Sequence, residues 1–107
     1  MNNYILVTGG AGYIGSHVCK ALAAHDYIPV TIDNLSEGHK DLVKWGPFEE
    51  ADILHRTQLD GIMHRYRVSA VIHLAASAYI EESFRNPEKY YRNNVQGTLN
   101  VLQACHE

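Results

Sequence analysis

Gly9, Gly10, Gly12 and Gly15 follow directly on the apolar run Tyr4 to Thr8, and an amphipathic stretch begins at once behind them. A strand that drops into Gly-x-Gly-x-x-Gly and opens a helix supplies what a pyrophosphate needs. The turn is tight, the backbone can approach the phosphates closely, and free amides at a helix N-terminus face the negative charge. The competing reading is a phosphate loop for a nucleoside triphosphate, because Gly10 to Ser16 spells G-x-x-x-x-G-S. No lysine stands between Gly15 and Ser16, so that chemistry would lack its central cation.

Asp33 lies 21 residues beyond Gly12. At that distance an acid closing the second strand accepts hydrogen bonds from both hydroxyls of an adenosine ribose and repels a 2′-phosphate, which favours NAD over NADP. His39 and Lys40 are the nearest groups that would argue the other way. Asp52 and Ile53 admit two readings: the carboxylate and the following amide meet an adenine ring, or the aspartate caps the next turn.

These residues require an alternating frame to hold them, and the sequence has one. After the first strand, Val18, Leu22 and Ala23 recur at helical spacing to about His25, and Val30 to Asp33 reads as a second strand starting just after Pro29. Asn34 to Gly46 is mostly loop. Phe48 to Asp52 reads as a third strand, an outer one, since Glu49 and Glu50 would discourage edge pairing. Gln58 to Tyr66 is predicted to be a helix with Leu59, Ile62, Met63 and Tyr66 inward. Ala70 to Ala75 is a continuous apolar strand of the kind buried on both faces of a parallel sheet. From Pro87 one long helix is expected, with Tyr91, Val95, Leu99, Leu102 and Cys105 returning every three or four residues. The fold class is therefore α/β, the first half of a Rossmann-type doubly wound parallel sheet over residues 1–107, with the fourth strand beside the first and the ligand at the carboxyl ends of the strands.

Composition narrows the partners. The 107 residues carry a formal charge of −3 and are 46% hydrophobic, which permits a core and gives no general attraction for nucleic acid or an anionic membrane. Met1 to Gly10 has no basic leader and no run spans a bilayer, so a cytoplasmic protein is expected. Cys19 and Cys105 belong to no C-x-x-C pair and are expected to be buried free thiols. The seven histidines are scattered, and no metal site is expected. His73, at the end of the fourth strand, is read as a core histidine bonded to backbone in preference to a donor facing the ligand.

The second glycine register, Gly9-x-x-Gly12-x-x-Gly15, has the spacing of the short-chain dehydrogenase/reductases. The segments TGGAGYIGSH, IDNLSEGH, ADI, VIHLAA and ESFRNPEKYYRNNVQGTLNVLQAC, in that order, resemble the amino-terminal half of the UDP-glucose 4-epimerases within the extended branch of that superfamily. The resemblance implies that Gly9, Gly12 and Gly15 with the backbone of Tyr13 and Ile14 meet the pyrophosphate. It implies that Asp33, Asn34, Leu35 and Ser36 hold the adenosine ribose, and Asp52 and Ile53 the adenine. Leu74, Ala75, Ala76, Ser77 and Ala78 would face the far side of the cofactor, and Asn93 would anchor it near the nicotinamide. Two positions depart from the pattern: Ala78 stands where some epimerases carry a phosphate-reaching lysine, and Glu81 replaces a common glycine.

The same resemblance implies NAD as cofactor, UDP-glucose or UDP-galactose as substrate, and a homodimer of the complete protein. In such enzymes hydride leaves C4 of the sugar while a tyrosine, its pKa lowered by a lysine, removes the hydroxyl proton, and hydride returns to the other face of the 4-keto sugar. No Tyr-x-x-x-Lys occurs here, so no catalytic residue is assigned and the segment alone is expected to be inactive, weakly NAD-binding and poorly soluble, with the Ala70 to Ala75 edge unpaired. The alternatives are a related 4,6-dehydratase or decarboxylase, or a non-catalytic NAD-binding sensor.

Overall fold

A computed structural model describes residues 3–35, 38–75 and 85–106, without the side chains of Tyr90, Tyr91 and Asn93. Strand β1 (Tyr4–Thr8) leads through the glycine turn into helix α1 (Tyr13–Ala24), and β2 (Ile28–Asp33) follows. A short 3-10 turn at Lys40–Leu42 interrupts the next loop, before β3 (Phe48–Glu50), α2 (Arg56–Tyr66) and β4 (Ala70–His73). Helix α3 (Pro87–Tyr91), a π turn (Arg92–Gln96) and helix α4 (Gly97–His106) run on without a break.

The four strands form one parallel sheet in the order β3-β2-β1-β4, so the fourth strand lies beside the first, as the sequence predicts. Because side chains alternate across a strand, β1 and β2 feed two faces at once. Leu6, Val30 and Ile32 join Ile53, Leu59, Ile62, Val101 and Ala104 in one core beneath α2 and α4. Val7 and Thr31, level with each other across the pair, turn to the other face, where the Cys19 thiol of α1 lies 3.5 Å from the Thr31 hydroxyl. Burial pushes the Cys19 pKa up, with the Thr31 hydrogen bond opposing.

The outer strand β3 is tied to α2 through its charges: Glu49 pairs with Arg65 at 2.6 Å and accepts from the Tyr66 hydroxyl at 3.2 Å. This agrees with its expected place at the edge, although it stops at Glu50 and not at Asp52. Helix α2 begins at Arg56, two residues earlier than predicted, where an Arg56–Asp60 pair at 2.9 Å ties its first turn.

Four further expectations are corrected. Pro29 lies inside β2, at its second position, and is fully buried. The amide of Ile28 bonds toward β1 at Asn3 and that of Thr31 toward Pro47 before β3, so alternation aims the missing Pro29 donor at the β3 side, ahead of that strand's start. Strand β4 ends at His73 and is exposed at Ala70 and half-buried after it, because among the described residues it pairs with β1 alone.

The last helix is not uniform. Its π turn displaces the buried face onto Gly97, Asn100, Val101 and Ala104, while Val95, Leu99 and Leu102 are 50%, 45% and 62% exposed. Cys105 shares their exposed side, so only Cys19 is a buried thiol.

Candidate functional site

The carboxyl ends of β1, β2 and β4 meet at the glycine turn. Gly9 adopts φ +73°, a left-handed conformation that favours glycine, and a Cβ there would stand 2.9 Å from the Ala75 amide nitrogen. A Cβ on Gly15 would fall 2.2 Å from the Gly9 carbonyl oxygen, so the first turn of α1 lies directly on the loop. These two glycines are required by the protein's own packing.

Gly12 is different. It caps α1 with φ −80° and ψ 175°, which any residue adopts, and its Cβ would meet the Gly9 oxygen at an ordinary 3.4 Å. Serine, threonine or aspartate is favoured at such a cap, yet Gly12 supplies no side chain to cap this helix. Among the described residues, nothing demands glycine here. The uncapped amides at the start of α1 lie beneath the exposed Tyr13 and Ile14, and a helix end of this kind has the chemistry to receive an anion.

Asp33 ends β2 beside this loop. One of its carboxylate oxygens accepts from the Ala11 amide at 3.1 Å and the other from the Leu35 amide at 2.7 Å, which turns Leu35 to φ 64°. A carboxylate has further acceptor capacity, so two hydroxyls can still bond to it. The Gly38–His39 backbone closes over the turn, with the His39 amide bonded to the Ala11 carbonyl at 3.0 Å. Lys40 reaches instead over the Phe48 ring, 6.0 Å from its centre, which directs that charge toward β3.

Asp52 caps its own turn by accepting from the Leu54 amide at 2.9 Å, and its second oxygen accepts from Asn34 at 3.0 Å. The pair thus joins the ends of β2 and β3, and the Asp52 carboxylate forms the turn cap while keeping lone pairs for a further donor. The Ile53 side chain is buried in the core, so only its backbone can face a ligand.

At the far end of the loop, the Thr8 hydroxyl oxygen accepts from the amides of Leu74 at 2.9 Å and Ala75 at 3.1 Å. Its proton then goes to His73 Nδ1, 2.6 Å away. The opposite ring nitrogen, Nε2, lies 3.0 Å from the Thr98 hydroxyl, which donates to the Asn94 carbonyl at 2.6 Å and must therefore accept from the ring. All protons in this chain of bonds point one way, from Leu74 and Ala75 through Thr8 and His73 to α4, and the arrangement needs a neutral ring. Burial lowers the His73 pKa and so favours that form. The expectation of a histidine bonded to backbone is corrected: both partners are threonine hydroxyls.

Gly9, Gly12, Tyr13, Ile14, Gly15, Asp33, Asn34, Leu35, Asp52, Ile53, Leu74 and Ala75 thus line one end of the sheet. Ser36, Ala76, Ser77, Ala78 and the side chain of Asn93 lie outside the described residues. Sequence reasoning missed Thr8, Ala11, Thr98 and Asn100. The last two stand in the Gly97-Thr98-Leu99-Asn100 signature, whose small and polar residues were the available signal. Among the described residues no group of three His, Cys, Asp or Glu is placed to hold a metal ion, and no helix is long and apolar enough to cross a membrane.

The profile of the NAD dependent epimerase/dehydratase family matches residues 5–107. The chain is 52% identical, over 97% of its length, to the UDP-glucose 4-epimerase of Rhizobium meliloti, of which it covers 32%. It is similar to the crystal structure of UDP-glucose 4-epimerase from Brucella ovis in complex with NAD, with a TM-score of 0.94 and 56% identity, over 96% of this chain and 32% of that one. The Thermus thermophilus UDP-glucose 4-epimerase complex with NAD gives a TM-score of 0.91 at 36% identity, over 95% of this chain and 33% of that one. The chain thus spans about a third of the length of the relatives it matches.

Proposed function

Because the chain belongs to the NAD dependent epimerase/dehydratase family, we propose that it is the NAD-binding part of a UDP-glucose/UDP-galactose 4-epimerase. The observation that carries the cofactor reading is Gly12, a glycine that neither its backbone conformation nor its packing against the described residues requires. Its bare Cα and the uncapped amides of Tyr13 and Ile14 receive the pyrophosphate, and the spare lone pairs of Asp33 receive the ribose hydroxyls. Asn34, Leu35 and Ser36 complete the ribose side, Asp52 with the Ile53 backbone meets the adenine, and Leu74 to Ala78 with Asn93 border the far half.

Bound there, NAD supplies a reversible hydride acceptor for C4 of a UDP-hexose. The chain's own residues orient the dinucleotide and hold its adenosine end. Proton transfer is assigned to residues outside this segment, since no Tyr-x-x-x-Lys spacing occurs in it. The named relatives support the 4-epimerase over the dehydratase and decarboxylase readings. The free thiols Cys19 and Cys105 suit a reducing, cytoplasmic compartment. The exposed Val95, Leu99 and Leu102 offer apolar surface for the homodimer that the resemblance implies.

The test is to purify the full-length protein carrying this segment, release its cofactor by denaturation, and follow UDP-galactose by product chromatography. NAD in the released fraction and UDP-glucose as product are expected. A protein that holds no NAD and leaves UDP-galactose unchanged would overturn the proposal.

A further inference from the structure

Helix α4 touches both loops that border the candidate dinucleotide site, through three of four consecutive residues. Gly97 lies on the Ile53 side chain so closely that a Cβ would stand 2.6 Å from Ile53 Cδ1. The buried Asn100 donates its amide to the Ile53 carbonyl at 2.9 Å, and Gln96 donates to the Asn100 oxygen at 3.0 Å, fixing which way that amide faces. Thr98, between them, accepts from His73 and so terminates the bonds that hold the Leu74 and Ala75 amides on Thr8. Leu99, the remaining residue, is exposed.

A helix is a rigid spacer, so two loops tied to a single turn of it, at Thr98 and Asn100, cannot change their separation without breaking a hydrogen bond. We infer that Gly97, Thr98 and Asn100 form a bracket that sets the distance between the turn at residues 52–54 and the loop at residues 74–75. Asn100 is the positioning residue for the adenosine half of the dinucleotide and Thr98, through His73, for the other half. The inference rests on the proposed NAD site and assigns that site's two halves to separate supports.

The division of labour is measurable with NAD and with AMP, which contains the adenosine half alone. In the full-length protein, by calorimetry, Asn100→Ala should weaken AMP and NAD alike, by about tenfold for a lost buried hydrogen bond. Thr98→Val should weaken NAD by a similar factor and leave AMP within about twofold, and Thr98→Ser, which restores the hydroxyl, should recover NAD binding.

A readout on the unmutated protein stands beside these variants should they fail to fold. With histidine labelled by nitrogen-15, NAD should shift the His73 ring resonances and AMP should leave them in place. Thr98→Val that weakens AMP as much as NAD, or leaves NAD unaffected, overturns the inference, as does an AMP shift at His73 equal to that from NAD. An unmutated protein that binds neither nucleotide defeats the cofactor reading itself, a separate outcome.

Discussion

Asp33 accepts a hydrogen bond from the amide of Ala11, 22 residues before it, at 3.1 Å. The acid at the end of β2 therefore holds the glycine turn in shape, in addition to the ribose contact proposed for it.

That double role sets the first prediction. The full-length protein should prefer NAD over NADP by more than about tenfold, because a 2′-phosphate would meet the Asp33 carboxylate. Asp33→Ala should weaken NAD binding by about 1–3 kcal/mol, the range for lost charge-assisted hydrogen bonds. Calorimetric dissociation constants for both dinucleotides check this, and equal values for the unmutated protein would defeat it.

Gly12 and Gly15 should separate ligand binding from folding. Gly12→Ser adds a capping hydroxyl to α1, so stability should hold or rise by about 0.5 kcal/mol while NAD binding falls more than about tenfold. Gly15→Ala places a methyl 2.2 Å from the Gly9 oxygen and should lower stability and binding together. Thermal melts paired with NAD titrations distinguish the two; loss of stability in both variants would contradict the assignment of Gly12 to an external phosphate.

His73 should leave a pH signature. Its folded pKa is lowered from 6.5 by burial, so the unfolded chain takes up the proton first as pH falls. The stabilising contribution is complete above about pH 6.5 and is lost as pH drops from there through the folded pKa. Thr8 and Thr98 are the groups facing the ring, and Cys105 and His106 stand at the opposite end of α4. Urea unfolding from pH 7 to 5 should cost the unmutated protein more stability than His73→Gln, which has no such titration; parallel curves would refute it.

Two helix substitutions should have opposite signs. Gly61 is exposed in the middle of α2 with open space around its Cα, so Gly61→Ala should stabilise by about 0.5–1 kcal/mol. Leu59, two residues earlier and fully buried, should lose about 2–5 kcal/mol on Leu59→Ala. Urea midpoints of the two variants provide the comparison.

The parts legible in the sequence are those where backbone chemistry dictates residue type. Gly9, Gly15 and Asp33 could be placed because a left-handed turn, a close helix contact and a strand end that accepts from the glycine turn each admit few side chains. The face of α4 was not legible: Val95, Leu99 and Leu102 carry the larger hydrophobic signal, but the helix packs through Gly97, Val101 and Ala104, and the π turn breaks the periodicity that would link it to α3. Asp52 stayed ambiguous because its capping and ligand-facing roles ask for the same residue. The Thr8, His73 and Thr98 connection spans separations of 65 and 25 residues, and isolated hydroxyls at such distances leave no local pattern.

The strand order also imposes a timetable on assembly. Tyr4 of β1 meets Ile28 of β2 after one short excursion, whereas Thr8 must await His73, and His73 in turn Thr98. Loop closure over the longer separation is entropically dearer, and a chain leaving the ribosome offers the early pair first. The β1-α1-β2 unit thus takes shape while the neighbouring position on β1 stands open, and α4 arrives after β4 to close one side of the candidate site.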